Sequence, residues 1–230
     1  MTPNAQRVTR LVVQPKEQHL YPNYPISVLP DNDIGITATR KWIWEQGKDK
    51  RYMVMDDDIK MACRKPWHDG EKTKRAMTEE DWHHMLTETS KWMDDGIAWG
   101  GCRTGGLPPA GREYIDSSGT AEVFFFDGNQ LPSVDELDWS LSTAEDISLS
   151  LQLLSKGYHN RVWDRFVYLS DFVGTEGGCI DMGRDLKMIN DNHAKLIEKF
   201  PDYVSYNGEK EMMGGIFNKI KIQYKKAYND

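Results

Sequence analysis

The sequence predicts an α/β fold: one domain, residues 1–230, with a mostly parallel β-sheet flanked by helices. Short apolar runs of strand length alternate with longer amphipathic segments of helix length, which is typical of a parallel sheet covered by helices. Clusters of Gly, Pro and Asp separate the runs, as turns require. The 230 residues are 39% hydrophobic and 11% aromatic, which is enough apolar material for one sizeable core.

The N-terminal quarter predicts two strands, a helix and a third strand. The apolar runs "RLVVQP" and "YPISVLP" each end at a proline, which favours strand ends at those points. The segment "GITATRKWIWEQ" has helical spacing, with Thr37 or Thr39 as the N-cap and Gly47 just beyond its end. The run "YMVM" is apolar without alternation, which indicates a third strand covered on both faces.

The next segment predicts a loop, a helix and a second loop. The stretch "KMACRKPWHDGEKTKRAMT" is polar and irregular, so we expect a loop over residues 60–78. An amphipathic helix follows, opened by a capping box in which Thr78 and Asp81 exchange hydrogen bonds. The Gly- and Pro-rich stretch "GIAWGGCRTGGLPPAGREY" predicts a strand end and then a mobile loop.

The C-terminal half predicts two strand–helix units and a hairpin. The run "AEVFFFDG" is a strand, and "STAEDISLSLQLLSKGY" is a helix with Ser142 or Thr143 as the N-cap and Gly157 after its end. The run "RVWDRFVYLSDF" is another strand, and the helix after it stops before Pro201. The segment "YVSYNGEKEMMGGIFNKIKIQY" predicts a terminal hairpin.

Composition narrows the class of protein. No apolar run approaches the roughly 18 residues that span a bilayer, and the N-terminus lacks a signal-peptide core, so we expect a cytoplasmic protein with no membrane partner. Three distant cysteines indicate reduced thiols. The net charge of -7 argues against generic affinity for nucleic acids. The Lys-rich C-terminal segment is either a protected edge strand or a phosphate-binding face, formed by Lys219, Lys221, Lys225 and Lys226.

Three adjacent carboxylates, Asp56, Asp57 and Asp58, follow the third strand. In sheets of this class, ligands bind at the carboxyl ends of strands. Adjacent carboxylates repel one another unless a cation lies among them, and Mg²⁺ and Mn²⁺ prefer carboxylate and phosphate oxygens. In an extended backbone Asp56 and Asp58 point to the same side. The pattern predicts a metal ion that binds a diphosphate, with an acidic turn as the plainer alternative.

A second acidic pair, Glu145 and Asp146, opens a predicted helix. The helix dipole alone favours carboxylates there. The functional interpretation is that one of them is the general base for an acceptor hydroxyl, with Asp146 preferred over Glu145. Arg40 and Lys41 lie on the helix ahead of the metal strand, where they either contact nucleotide phosphates or form a solvated helix face.

Together these motifs resemble the glycosyltransferases of the GT-A fold. Those families carry G-x-x-x-x-R-N ahead of the metal strand, here "GITATRK" with Lys41 in place of Asn. They carry D-x-D after it, here "DDD", and an E-D pair ahead of L…L…G-Y. More narrowly, the compact size, "DDDI", "EGGCIDMGRD" and "IKIQYKKAY" are similar to the TET/JBP-associated glycosyltransferases and related phage enzymes. Those enzymes are thought to glycosylate hydroxymethylated pyrimidines in DNA.

The resemblance implies a single GT-A (Rossmann-like) domain that uses a UDP-sugar donor and Mn²⁺ or Mg²⁺. Hydroxymethylated DNA, with 5-hydroxymethylcytosine as the base, would be the acceptor, and the setting would be the cytoplasm of a phage-infected host. Asp58 and Asp56 would hold the metal, and Asp146, with Glu145 beside it, would be the base of an inverting displacement. The nucleotide-sugar would be bound by Gln14, Lys16, Arg40, Asp56, Asp57 and Arg103.

Other functions stay open at this point. The same enzyme class with a saccharide or protein acceptor would suit the negative net charge. A metal-dependent nucleotidyltransferase would need a further strand carboxylate near the first pair, and Asp127 is the obvious candidate. A non-catalytic binding module is disfavoured by the intact Asp56, Asp58 and Asp146. The sequence leaves the oligomeric state open.

Overall fold

The computed structural model describes residues 9–170, 185–212 and 215–229. Apart from its last residue, the motif "EGGCIDMGRD" lies outside them, as does Cys179. The fold is mixed α/β. The helices are α1 (Gly35–Gln46), α2 (Glu79–Asp94), α3 (Glu145–Ser155), α4 (Leu186–Lys199) and α5 (Tyr224–Asn229). The strands are β1 (Leu11–Val13), β2 (Ile26–Val28), β3 (Arg51–Met55), β4 (Ile59–Arg64), β5 (Lys74–Ala76), β6 (Trp99–Thr104), β7 (Tyr114–Asp116), β8 (Val123–Asp127), β9 (Asn160–Ser170), β10 (Val204–Met212) and β11 (Gly215–Ile222).

The central sheet has seven strands and is mixed. Its order is β3-β8-β6-β9-β4-β5, and β7 pairs with β9. Strands β6 and β9 are parallel, whereas the other pairs in this sheet are antiparallel. The prediction of a mostly parallel sheet is therefore wrong. The predicted loop over residues 60–78 contains β5 and all of β4 except Ile59, and the second predicted loop ends at Tyr114, where β7 begins. These strands return the chain through the sheet without a crossover helix, which antiparallel pairing permits.

The central sheet is curled, because the chain connectivity rules out a flat one. In the hydrogen-bonded order, β8, β6 and β9 lie between β3 and β4. In a flat sheet β3 and β4 would be about 19 Å apart, at about 4.8 Å per strand. Only residues 56–58 link them, and the four Cα steps from the end of β3 to the start of β4 span at most about 14 Å. The segment with the three aspartates therefore joins two strands that only the curl brings together.

The core lies on both faces of this sheet. Along β8 successive side chains point to opposite faces. Phe124 and Phe126 pack with apolar residues of α1, α3 and α4, whereas Val123 and Phe125 pack against α2. All four are at most 4% exposed. Strand β3 is less covered than predicted, because it is the edge strand of the sheet.

Helix caps match the predictions in one case out of three. The capping box at α2 is confirmed: the Asp81 amide donates to Thr78 Oγ1 at 3.3 Å, and the Thr78 amide donates to Asp81 Oδ2 at 2.9 Å. The N-caps of α1 and α3 are instead Ile34 and Ala144, neither of which forms a side-chain cap. Tertiary contacts, described below, fix where these two helices begin.

Smaller elements flank the central sheet. Strands β1 and β2 form a separate parallel pair. Strands β10 and β11 form the predicted hairpin, with a bulge between Tyr206 and Glu209. Helix α4 protects the free edge of β11, where Asn190 accepts from the Asn218 amide at 2.9 Å and His193 Nδ1 lies 2.7 Å from the Asn218 carbonyl oxygen. Across the described ranges, no helix is both long and apolar enough to cross a membrane.

Candidate active site

The three aspartates lie within a ring of contacts at one edge of the central sheet. The Asp56 amide donates to the Glu122 carbonyl at 3.1 Å, which extends the β3–β8 ladder by one residue. The Glu122 carboxylate accepts a hydrogen bond from the Ser170 hydroxyl at 3.1 Å. Ser170 in turn pairs with Ile59, the residue that follows Asp58. The ring therefore brings Glu122 next to the aspartate segment.

Arg40 joins two of the predicted motifs. Its Nη2 lies 3.3 Å from Oδ2 of Asp56, and its Nη1 lies 2.8 Å from Oε1 of Glu145. The Arg40 side chain is only 10% exposed, and its guanidinium carbon lies 5.2 Å from the centre of the Phe124 ring. Burial opposes its charge, but Glu145, Asp56 and Asp146 outweigh burial and raise the pKa of Arg40. The guanidinium thus holds the strand motif against the helix motif.

Thr37 and a left-handed residue bring α3 beside α1. The Thr37 hydroxyl donates to the Leu141 carbonyl at 2.5 Å, across 104 residues of sequence. Thr37 lies one helical turn before Arg40 on α1. After Leu141 the chain turns through Ala144, at φ 60°, directly into α3. The hydroxyl expected to cap α1 therefore anchors the start of α3 instead, and the acidic pair that opens α3 lies beside α1.

The carboxylates at this edge of the sheet repel one another. Burial raises the pKa of Asp56; Arg40 opposes the shift, and Asp58 and Asp146 add to it. Burial also raises the pKa of Glu122. The hydrogen bond from the Ser170 hydroxyl opposes this shift, and Asp56, Asp58 and Asp146 add to it. Negative charge is therefore in excess here, and a further cation would lower the free energy of the site.

The backbone at the three aspartates is not extended. Asp57 and Asp58 form a turn, and both side chains are exposed, whereas the Asp56 side chain is 30% exposed. The extended geometry expected for Asp56 and Asp58 is therefore wrong. Asp58 is still close enough to raise the pKa of Asp56, so the two carboxylates lie near each other. The assignment of Asp57 to the nucleotide stays a prediction.

The residues fit a divalent cation to which the substrate brings part of the coordination. Oε2 of Glu122 is buried and has no hydrogen-bond partner among the described residues. In residues 9–170, 185–212 and 215–229, no three His, Cys, Asp or Glu side chains form a ready-made metal cluster. Mg²⁺ at nucleotide sites commonly takes one or two carboxylates and completes its shell with phosphate oxygens and water. Asp56 and Asp58 provide that number.

Two tyrosines that sequence reasoning missed lie near Asp146. Burial, together with Glu122 and Asp146, raises the pKa of Tyr168 in β9. Burial, together with Asp146 and Tyr168, raises the pKa of Tyr224, the first residue of α5. Gly119 permits this position of Tyr224, because a Cβ at residue 119 would overlap the tyrosine ring. Tyr224 of α5 therefore lies near Asp146 and Tyr168.

The sequence also gave no indication of Glu122, because it did not predict the direction of strand β8. The sequence directed attention to residues that follow strands, but β8 runs antiparallel to β3 and brings its amino end to the same edge. Asp127, the candidate third carboxylate of a nucleotidyltransferase, lies at the other end of β8, about 16 Å away at about 3.3 Å per residue. There its Oδ2 pairs with Arg51 Nε at 2.9 Å. No local pattern in the sequence gives the direction of β8.

Gln14 and Lys16 follow β1, at the carboxyl end of the parallel β1–β2 pair. Gln14 Oε1 accepts from the Asp33 amide at 2.8 Å, and Lys16 Nζ lies 2.5 Å from the Asp33 carboxylate. Asp33 comes two residues before α1, the helix that carries Arg40. Both residues are therefore tied to the N-terminal end of α1, and their contact with the nucleotide base stays a prediction.

Arg103 anchors the Gly- and Pro-rich loop. Its Nη1 lies 2.5 Å from Oδ1 of Asp164, whose side chain is fully buried in β9. Oδ2 of Asp164 accepts from the Ala110 amide at 2.7 Å, and Arg64 donates to the Leu107 carbonyl at 2.8 Å. These bonds hold residues 104–110 against the sheet. The contact of Arg103 with the donor sugar stays a prediction.

Comparison with known proteins gives one match. A family model described as TET-Associated Glycosyltransferase matches residues 2–178. The matched range contains α1, the three aspartates, Glu122 and the acidic pair, and it ends before α4 and the β10–β11 hairpin. No curated protein and no solved structure matches the chain.

Proposed function

Because the chain belongs to the TET-associated glycosyltransferase family, we propose that it transfers a sugar from a UDP-sugar to 5-hydroxymethylcytosine in DNA. The enzyme class, glycosyltransferase, follows from the family. The donor, the Mn²⁺ or Mg²⁺ ion, the GT-A architecture and the hydroxymethylated base are the proposal. The setting would be the cytoplasm of a phage-infected host, where such DNA is a substrate.

One observation carries the proposal. Three motifs that are far apart in sequence meet through Arg40, which pairs with Asp56 at 3.3 Å and with Glu145 at 2.8 Å. A strand-end carboxylate and a helix-start carboxylate on either side of one guanidinium give a site two functions. One side can hold a cation and a diphosphate, and the other can take a proton from an acceptor.

The transfer is a displacement at the anomeric carbon of the donor. The acceptor hydroxyl oxygen bonds to that carbon as its bond to the diphosphate oxygen breaks, and the electron pair of the broken bond leaves with UDP. The hydroxyl proton passes to a carboxylate. Asp146 is the preferred base, because within the described residues it accepts no hydrogen bond and forms no ion pair, whereas Glu145 is held by Arg40. A single displacement of this kind inverts the anomeric centre.

Asp56 and Asp58 would bind the divalent ion, which would stabilise the negative charge that develops on the leaving diphosphate. Arg40 favours the ionised form of Asp56 and orients its carboxylate. Asp57, exposed on the turn, would reach the nucleotide, with Gln14 and Lys16 near its base. Glu122 would add a negative charge to the surroundings of the ion.

A transfer assay read by mass spectrometry tests the proposal. Duplex DNA that contains 5-hydroxymethylcytosine is incubated with several UDP-sugars and Mn²⁺. The DNA is then digested to nucleosides, and their masses are measured. The expected result is a mass gain of one sugar with the wild type, which is lost in Asp58→Asn and strongly slowed in Asp146→Asn. The control Asp69→Asn, which removes an exposed carboxylate from another loop, should keep full activity.

The variants also separate the two roles. Asp58→Asn should weaken Mn²⁺-dependent binding of UDP, whereas Asp146→Asn should keep that binding and slow the transfer by about a hundredfold or more. If UDP binds with Mn²⁺ but no DNA base gains mass, the DNA acceptor is wrong and a saccharide or protein acceptor replaces it. If UDP binds with neither Mn²⁺ nor Mg²⁺, the nucleotide-sugar mechanism is wrong.

A further inference from the structure

The C-terminal hairpin carries a face whose charge differs from that of the protein as a whole. Val204 and Ile222 are paired and Ile220 packs against the core, so one face of the hairpin is turned inward. Because strand side chains alternate, Lys219 and Lys221 lie on the opposite face.

The pairing register places two more residues beside them. Ser205 pairs with Lys221, and Lys210 pairs with Phe217, which is on the same face of β11 as Lys219. Directly paired residues share a face, so these side chains lie on one face of the ribbon. Helix α4 covers Phe217 on that face, where its ring packs against His193 with the ring centroids 5.4 Å apart. We call this face the basic ribbon face; its polar members are Ser205, Lys210, Lys219 and Lys221.

Opposite charges are separated between the two faces of the ribbon. The glutamates of β10, Glu209 and Glu211, pair with Asn218 and Ile216 and therefore belong to the other face. Among the described residues, the lysines of the basic ribbon face form no ion pair. A face that carries lysines and no carboxylate has a positive local potential, which attracts a negatively charged partner.

The ribbon is also joined to the candidate active site. Tyr224 follows the last residue of β11 by two positions and is partly buried, with its ring against Gly119. Its hydroxyl is close enough to Asp146 for that carboxylate to affect its pKa. Three Cα steps separate Lys221 from Tyr224, which is at most about 11 Å. A polymer bound on the ribbon would therefore pass close to the predicted base.

We propose that the basic ribbon face binds the phosphate backbone of the acceptor DNA and so brings a target base towards Asp146. The inference rests on the proposed function and goes beyond it, because the ribbon lies outside residues 2–178 that the family model matches. A two-stranded ribbon is narrow enough to lie along a groove of duplex DNA. Lys219 and Lys221 are about 7 Å apart along the strand, which suits two neighbouring phosphates.

The salt dependence of binding gives the expected effect. Each phosphate neutralised on duplex DNA contributes about 0.9 to the slope of log affinity against log salt concentration. Removing two such contacts should lower the slope by about 1.8. Between about 50 and 200 mM salt, those two contacts would account for about a twelvefold change in affinity.

The experiment compares two double variants that remove the same charge. Lys219→Gln with Lys221→Gln changes the ribbon, and Lys48→Gln with Lys72→Gln changes exposed lysines elsewhere. Binding of a fluorescent duplex with 5-hydroxymethylcytosine is measured by anisotropy over a salt series, and thermal unfolding checks that both variants fold. Mn²⁺-dependent binding of UDP is measured in parallel and should be equal in all proteins.

The expected result is that the ribbon variant loses about tenfold or more in DNA affinity and about 1.8 in slope, while the control variant stays near the wild type. Equal loss in both variants would show that only net charge matters and would overturn the inference. Equal binding in all three would place the DNA on another surface and would also overturn it, with the proposed function intact. A wild type that binds UDP but no DNA would overturn both the ribbon and the DNA acceptor.

Discussion

Replacement of Arg40 by Met should destabilise the protein in a way that a divalent cation reverses. The substitution keeps an unbranched apolar stem but leaves Asp56 and Glu145 without the guanidinium that pairs with both. Arg40 and Glu145 are each 10% exposed and Asp56 is 30% exposed, so water compensates little. Removing one partner from a buried ion pair costs about 3 to 5 kcal/mol.

We expect the lower end of that range, about 3 kcal/mol at pH 7.5, because Asp56 keeps some access to water. For a chain of this size that corresponds to a loss of about 6–12 °C in Tm. The pKa of Asp56 is already raised in the folded protein, and without Arg40 it should rise further. A carboxyl group with a raised folded-state pKa destabilises the protein above that pKa, and this effect disappears below the unfolded-state pKa. The deficit of Arg40→Met should therefore shrink as the pH falls towards about 4.

Urea unfolding at several pH values, with and without Mn²⁺, measures this effect. Mn²⁺ should stabilise Arg40→Met more than the wild type, because the ion replaces the lost positive charge. Arg75→Met is the control: Arg75 also pairs with a carboxylate, Asp81, but away from this site, so Mn²⁺ should not rescue it. A loss below about 0.5 kcal/mol for Arg40→Met, the range of ordinary surface changes, would refute the reasoning.

Three further outcomes follow from the structure. Glu122→Gln should raise the stability of the metal-free protein at neutral pH, because it removes one of several mutually repelling carboxylates, and should weaken Mn²⁺ binding in a thermal-shift titration. The hydrogen bond from Lys199 lowers the pKa of Asp138 to about 2, so Asp138→Asn should cost stability above about pH 4, the ordinary range of the carboxyl group, and nothing below pH 2, as pH-dependent urea unfolding would show. Gly119→Ala should displace Tyr224 and reduce kcat for transfer while leaving UDP affinity unchanged.

Each of these changes has a matched control. Glu71→Gln and Asp135→Asn neutralise exposed carboxylates, and neither should alter Mn²⁺ binding or the pH dependence of unfolding. In Gly106→Ala the new methyl group has room, with the nearest atom 3.7 Å away, so transfer should be unaffected. Equal losses of kcat in both alanine variants would show that Tyr224 has no particular role.

The sequence by itself determined the features that depend on neighbouring residues. The capping box at Thr78 needs only a partner three residues away, and it is confirmed. Helices α1 to α4 and the terminal hairpin follow from periodicities within a dozen residues or so. Helix α5 was not predicted, and Lys225 and Lys226 lie in it rather than on a strand. The family resemblance rested on short motifs of the same kind, and those motifs include the side chains that meet at Arg40.

Only the tertiary structure decided the features that depend on distant segments. Strand direction is a property of a pair of strands, so no local run could show that β8 is antiparallel to β3 and brings Glu122 to the aspartates. The sequence did not predict β4 and β5, because β5 is mostly charged and the apolar run of β4 is only three residues long between Lys60 and Arg64. Thr37 looked like a helix cap, but a carbonyl 104 residues away takes its hydroxyl and so positions the acidic pair. The residue types and their local spacing indicate which chemistry is available. The pairing of distant strands and the contacts between distant segments decide which side chains share a site.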